Sequence, residues 1–98
     1  AFTHLSHMYG QGSSIYTTYI FRCGKSYEEA YARWQKLKEA GAAAIVRFGG
    51  TISHQHGVGK DHAKYLSIEK GELGIAAIEG LIRLFDPQQQ MNPGKLLP

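Results

Sequence analysis

The sequence predicts an α+β fold in which helices cover one face of a small, mostly antiparallel sheet. Three observations lead there. The segment from Ser14 to Arg22 is rich in Tyr, Thr and Ile and alternates with the period of a strand. Ser26 to Ala40 opens on a helix-start signal and carries apolar residues at helical spacing. The whole chain reads in the order β-β-α-β-loop-α-α-tail, a grouping typical of α+β domains. With 98 residues there is room for one domain.

Each element has a local reason. Phe2 to Met8 reads as a short strand with Phe2, His4, Ser6 and Met8 on one face, and Gly10-Gln11-Gly12 as the turn after it. From Ser14 onward, alternation puts Ile15, Thr17, Tyr19 and Phe21 on one face and Tyr16, Thr18 and Ile20 on the other. Gly24-Lys25 turns the chain. Ser26-Tyr27-Glu28-Glu29 then forms a capping box, in which the serine oxygen accepts a free backbone N–H and Glu29 reaches back. The helix that follows carries Ala30, Trp34 and Leu37 on one stripe and ends at Gly41 as a left-handed stop. Ala43 to Phe48 is short and apolar, and reads as a buried strand closed by Gly49-Gly50. Thr51 to Gly59 is loop. Asp61 is positioned to cap a short helix through Ile68, and Gly71 interrupts it. A second helix starts near Glu72, with Ile75, Ile78, Ile82 and Phe85 on one face, and Asp86-Pro87 ends it. Met91-Asn92-Pro93-Gly94-Lys95 is turn-forming.

Composition narrows the function classes. Hydrophobic residues make up 43% of the chain and charged residues 19%, which is globular rather than disordered. No apolar run approaches the ~20 residues of a transmembrane helix. Ala1-Phe2-Thr3-His4 has neither the charged nor the apolar region of a signal peptide, and without an initiator Met the chain reads as a piece of something longer. The single Cys23 excludes an internal disulfide and fits a reducing, cytoplasmic setting. A net charge of +3 is scattered along the chain with no Lys/Arg cluster of the nucleic-acid type, and a small anionic ligand fits the surplus as well as a nucleic acid does.

Three Gly-Lys pairs invite a phosphate-loop reading, which needs a glycine five residues earlier. Tyr19, His54 and Gln89 occupy those positions, so none qualifies. Gly57-Val58-Gly59-Lys60 still has physical content. Two glycines admit a ligand close to the backbone, a helix start offers N–H groups to an anion, and Lys60 adds charge. The ordinary alternative is a loop before a helix. His54-Gln55-His56 is the densest chemistry: if the backbone is extended there, both imidazoles point the same way. A metal centre would have to recruit His4 and His7, at spacings that match no zinc signature, and none is expected. Ser53 beside His54 lacks the nucleophile-elbow context of a hydrolase. Tyr16 can act as a base only where neighbours lower its pKa from ~10; otherwise it is sheet packing.

Taken together, several segments resemble a known pattern. They are Ser6-His7-Met8-Tyr9, Gly12 to Tyr16, Gly49 to His62 with its Ser-His-Gln-His-Gly-Val-Gly block, Asp86-Pro87, and Met91 to Leu96. In this order and spacing the chain resembles the C-terminal end of FAD-linked oxidases of the vanillyl-alcohol-oxidase type, closest to alkyl-dihydroxyacetone-phosphate synthases and their bacterial relatives. The resemblance implies that residues 1–98 are the last part of a substrate or cap domain with a partial ferredoxin-like sheet. FAD would be held mainly by an N-terminal FAD-binding domain of the same parent chain, which lies outside these residues, and the fragment alone should not turn over. It implies Tyr16 as the base that takes a proton from the substrate carbon. His54 and His56 would line the flavin face and bind substrate oxygens, and Asn92 and His56 would lie near the cofactor. Gln55 stands where the synthases carry the middle histidine of a triple-histidine motif; it can hydrogen-bond but not titrate, which favours a bacterial relative with a different substrate. Gly57, Gly59, Lys60 and Gln55 would hold a small phosphate or carboxylate substrate, and a homodimer is compatible with this arrangement.

Two other readings compete. One is a 2-hydroxy-acid dehydrogenase of the glycolate or D-lactate type. Such enzymes usually carry Gly-His-x-Gly-Asp-Gly-Asn-x-His where this chain has His7 to Tyr16, without the acidic residue and paired histidines. The other is a non-enzymatic α+β module with a histidine-lined anion site. If the chain is cut from a larger protein, apolar residues should be exposed, Ile20 and Tyr31 among them.

Overall fold

The computed structural model describes residues 1–97. It contains two strands, β1 (Phe2–Tyr9) and β2 (Gly12–Thr18), followed by two helices, α1 (Tyr27–Arg47) and α2 (Ala63–Phe85). This is a small α+β arrangement. The chain divides into two compact units, Ala1–Gly41 and the residues from Ala42 onward, with the boundary inside α1.

In the first unit, β1 and β2 form an antiparallel hairpin, paired from Phe2↔Thr18 to Tyr9↔Gly12. The register shifts between Leu5 and His7, so Ser6 is an extra residue on β1 and the simple alternation expected from Phe2 to Met8 breaks there. The hydroxyls of Ser6 and Ser14 lie 3.0 Å apart across this bulge. β2 is shorter than the expected Ser14 to Arg22 strand: Thr18 already pairs with Phe2, and Tyr19 to Arg22 have no ladder partner among the described residues. Phe2, Leu5, Met8 and Ile15 are all exposed, as are Ile20 (74%) and Tyr31 (45%).

The capping box forms, one residue wider than expected. Glu29 N–H donates to the Ser26 hydroxyl at 3.1 Å, while the Glu29 carboxylate accepts from the backbone N–H of Lys25 at 2.9 Å. Arg33 pairs with the same carboxylate and donates to the Arg22 carbonyl at 2.6 Å. Lys25 N–H first, and then Arg33, hold the Glu29 carboxyl below the usual carboxylate range. Gly24 has φ 86°, and a Cβ there would lie 2.3 Å from the Glu29 carboxyl carbon, so a larger residue would be strained and would push the Glu29 side chain out of its cap.

The expected third strand is a helix instead. α1 passes through Gly41 and takes in Ala43 to Arg47. Ala42, Ala43 and Ala44 are strong helix formers, and a short apolar run does not by itself separate a strand from a buried helical turn. Gly41 is not a stop: it adopts no positive φ, and its bare Cα admits the Tyr19 hydroxyl, which a Cβ would meet at 3.0 Å. The true stop is Gly49 at φ 72°. Gly49 N–H donates to the Val46 carbonyl and Gly50 N–H to that of Ile45, the paired bonds of a Schellman motif.

The second unit holds the buried residues Ala42, Ile52, Ala63 and Leu66. α2 begins after a turn rather than at a capped Asp61: His62 is the cap residue, and no side chain closes it. Gly71 breaks α2 as expected, with φ 69° and ψ 172°. Ile75, Ile78 and Ile82 are half-buried on the expected face, but Phe85 at its end is exposed. Asp86 N–H donates to the Ile82 carbonyl at 2.7 Å and closes the helix.

Candidate functional site

The histidine loop follows from the way α1 ends. Once Gly49-Gly50 turn the chain, Ile52 is buried (5% exposed), and its backbone N–H donates to the Glu69 carboxylate at 2.9 Å. Glu69 lies on α2 and also accepts from the Lys70 ammonium at 2.9 Å. The Ile52 N–H first, and Lys70 second, hold the Glu69 carboxyl below the usual range. Next along the chain, the Ser53 hydroxyl donates to the Gly57 carbonyl and closes a loop around His54, Gln55 and His56.

All three enclosed side chains are exposed. Gln55 sits at φ 66°, so the backbone is not extended, and the alternation expected to align the two imidazoles does not apply. Gly57 (φ 75°) and Gly59 (φ 58°) occupy the left-handed region that glycine allows. Lys60 is exposed beside them. The helix start beyond is partly used up. His62 N–H donates to the Val58 carbonyl, Ala63 N–H to that of Lys60, and Tyr65 N–H to that of His62. Those three amides are therefore already bonded to carbonyls, which leaves Lys60 and the exposed loop as the groups an anion could meet.

The C-terminal turn comes to the same loop. Asp86 accepts from Gln90 N–H at 2.9 Å and Met91 N–H at 2.8 Å with its two carboxylate oxygens. Its carbonyl accepts from Gln89 N–H. Asn92 follows at φ 55°, and Leu96 N–H donates to the Gly59 carbonyl at 3.0 Å. Asn92, Lys95 and Arg83 line a cleft of about 500 Å³ between the end of α2 and this turn. Glu79 and Asp86 line the same cleft, and Arg83 pairs with Glu79 at 3.4 Å, so the Asn92 amide and the Lys95 ammonium are the groups on this open wall that could meet a polar cofactor, without enclosing it.

Tyr16 belongs to the first unit. The hairpin register sets it opposite His4, and the two rings stack with centroids 5.3 Å apart. Tyr16 is 46% exposed, so its hydroxyl is not sealed in a core. Among the described residues, no group of three or more His, Cys, Asp or Glu is placed to share a metal ion. No helix among them is long and apolar enough to cross a membrane.

Sequence reasoning missed four residues that support the candidates within each unit: His4 in the first, and Ser53 in its loop-closing role, Glu69 and Asp86 in the second. The hairpin register would have found His4. The Asp-Pro pair marks Asp86 as a helix end but not as the acceptor for the turn beyond it. No local pattern links Glu69 to a residue seventeen positions earlier.

Residues 1–96 match the family described as FAD linked oxidases, C-terminal domain, and the chain belongs to that family. It is similar to the alkyldihydroxyacetonephosphate synthase of Trypanosoma brucei brucei, with 32% identity over 97% of this chain and 15% of the synthase. It is 34% identical to an uncharacterized FAD-linked oxidoreductase, YgcU, of Escherichia coli O157:H7, over 97% of this chain and 20% of that protein. A D-lactate dehydrogenase of Anaerostipes hadrus is 32% identical over 80% of this chain and 17% of its own length. The chain thus spans a fifth or less of the length of these relatives. No solved structure matches it.

Proposed function

We propose that residues 1–98 form the C-terminal part of the substrate domain of an FAD-dependent oxidoreductase or alkyl-dihydroxyacetone-phosphate-synthase-like enzyme, lining its flavin and substrate site. The observation that carries this reading is the Leu96 N–H to Gly59 carbonyl bond, which joins the histidine loop to the Asn-Pro-Gly-Lys turn. Two segments far apart in sequence, both among those that carry the resemblance, are joined by this bond.

In this reading Lys60, Gln55 and the Gly57–Gly59 backbone bind the phosphate or carboxylate of a small substrate. His54 and His56 donate to its oxygens and stabilise negative charge as a proton leaves. Tyr16, ionised to its phenolate before the step, receives that proton and becomes the neutral phenol. Asn92 and His56 contact the cofactor, most of which the FAD-binding domain of the parent chain holds. FAD, when bound, supplies the electron-accepting chemistry; the residues here orient the substrate and move the proton. Gln55 cannot titrate, so proton transfer rests on the two histidines and Tyr16. The single exposed Cys23 fits a cytoplasmic protein. A homodimer is compatible with this arrangement.

A second reading, a fragment of a 2-hydroxy-acid dehydrogenase, draws support from the D-lactate dehydrogenase similarity. The substrate distinguishes the two. The test is the visible spectrum of the full-length parent, recorded with acyl-dihydroxyacetone phosphate or with D-lactate, in wild type and Tyr16→Phe. Flavin bands that substrate bleaches only when Tyr16 is intact support the reading and its base. Bleaching that survives Tyr16→Phe removes Tyr16 as proton acceptor. A colourless protein that FAD cannot reconstitute overturns the reading.

A further inference from the structure

Ser53 and Glu69 have no part in the chemistry proposed above, yet each is bonded to the histidine loop. The loop itself is irregular. His54, Gln55 and His56 are exposed, Gln55 is in the left-handed region, and no regular structure runs from Thr51 to Gly57. A segment of this kind explores many conformations unless its ends are held.

Two side chains hold the near end. Glu69 accepts the N–H of Ile52, the last buried residue before the loop. This bond ties the loop's entry to α2, ahead of the Gly71 kink. Ser53 is next in sequence, and its hydroxyl donates to the Gly57 carbonyl, so the loop closes on itself around the three enclosed residues. Leu96 N–H holds the far end at Gly59. The serine beside a histidine is therefore not arranged as a nucleophile, because its proton is committed to a backbone carbonyl at the other end of the loop.

From this geometry we infer that Ser53 and Glu69 are positioning residues for His54 and His56: Glu69 anchors the loop to α2 and Ser53 fixes its closure, so together they set where the imidazoles stand. The inference rests on the histidine roles proposed above. It adds that those roles depend on two residues that do not themselves touch substrate or cofactor. Catalytic geometry is sensitive to displacements of this size: about 1 Å of misplacement can cost about a hundredfold in rate. A carboxylate accepting a backbone N–H also forms one of the stronger hydrogen bonds available to a loop.

The experiment uses the full-length flavin-loaded parent. Flavin bleaching is followed at saturating substrate and as a function of pH, in Ser53→Ala, Ser53→Thr, Glu69→Ala and Glu69→Gln. Thr keeps the hydroxyl donor, and Gln keeps a carbonyl acceptor for Ile52 N–H. The expected result is that both Ala variants retain bound flavin but bleach about tenfold or more slowly, with an altered pH profile. Ser53→Thr and Glu69→Gln should recover most of the rate. Ala variants that bleach like wild type, with an unchanged pH profile, overturn the inference. So do conservative variants as slow as the Ala ones. If Glu69→Ala does not yield folded protein, the Ser53 pair decides alone, since Ser53→Ala removes one half-buried hydroxyl and leaves the anchor to α2 intact. His54→Ala and His56→Ala run alongside. If they abolish bleaching while Ser53→Ala does not slow it, this inference fails and the proposed site stands. If neither histidine variant affects bleaching, the proposed site itself fails.

Discussion

The backbone N–H of Leu96 donates to the carbonyl of Gly59 at 3.0 Å, bringing the end of the described chain to the loop that follows the two histidines. Asp86 prepares that contact by accepting from Gln90 and Met91 with its carboxylate. Asp86→Ala removes both acceptors without touching the loop. Limited proteolysis of the full-length protein should then cut between residues 88 and 97 at least several-fold faster than in wild type. Equal cutting rates would mean that Asp86 does not hold the turn.

Glu69 predicts a pH dependence. Its carboxyl is held below the usual range, chiefly by the Ile52 N–H. A group with a depressed folded-state pKa contributes stability that is complete above its unfolded value, ~4.3, and is lost as pH falls through the folded value. Thermal denaturation of the full-length protein should therefore show a midpoint that drops below about pH 4, and less steeply in Glu69→Gln. Parallel curves for the two proteins would rule out Glu69 as a source of the acid sensitivity.

Two glycines of α1 should respond to alanine with opposite signs. Gly49 is a left-handed helix stop, so Gly49→Ala should destabilise by about 1 kcal/mol. Gly41 lies inside the helix, where alanine is favoured by up to about 1 kcal/mol, and its one close neighbour is the end of the exposed Tyr19 side chain. Gly41→Ala should be neutral or stabilising. Denaturant midpoints of the two variants check this, and destabilisation at Gly41 would favour a helix that stops there.

Gln55 separates stability from recognition. Its φ of 66° is costly for a residue with a side chain, so Gln55→Gly should stabilise the fold by about 1 kcal/mol. The same change removes the amide proposed to bind substrate and should raise KM. Denaturation and steady-state kinetics on one variant read both effects; an unchanged KM would remove Gln55 from the substrate site.

Much of this architecture was legible in the residues. The hairpin, the Ser26–Glu29 box, the Gly71 break and the Asp86 helix end all depend on local chemistry, and they stand in the structure. The strand expected over Ala43 to Phe48 does not. A six-residue apolar run fits either period, and the alanines beside it favoured continuation of the helix. Gly41 misled because glycine serves both as a left-handed stop and as a point of close approach, and only the packing of Tyr19 distinguishes them. The histidine loop and the Asn92 turn were legible as motifs. Their junction through Gly59 and Leu96 was not, because a bond between two backbones leaves no mark on side-chain identity. Glu69 escaped for a related reason: its partner is a main-chain group distant in sequence.

A two-stranded ribbon has two open edges, and here it also exposes Phe2, Leu5, Met8 and Ile15. Unpaired N–H and C=O groups along such an edge are a template for any other extended chain. Produced apart from its parent, this segment would meet mostly copies of itself. Its natural failure would then be polymerisation through the hairpin, and a lysine placed at an outward-facing position of β1 would be the simplest way to keep it in solution.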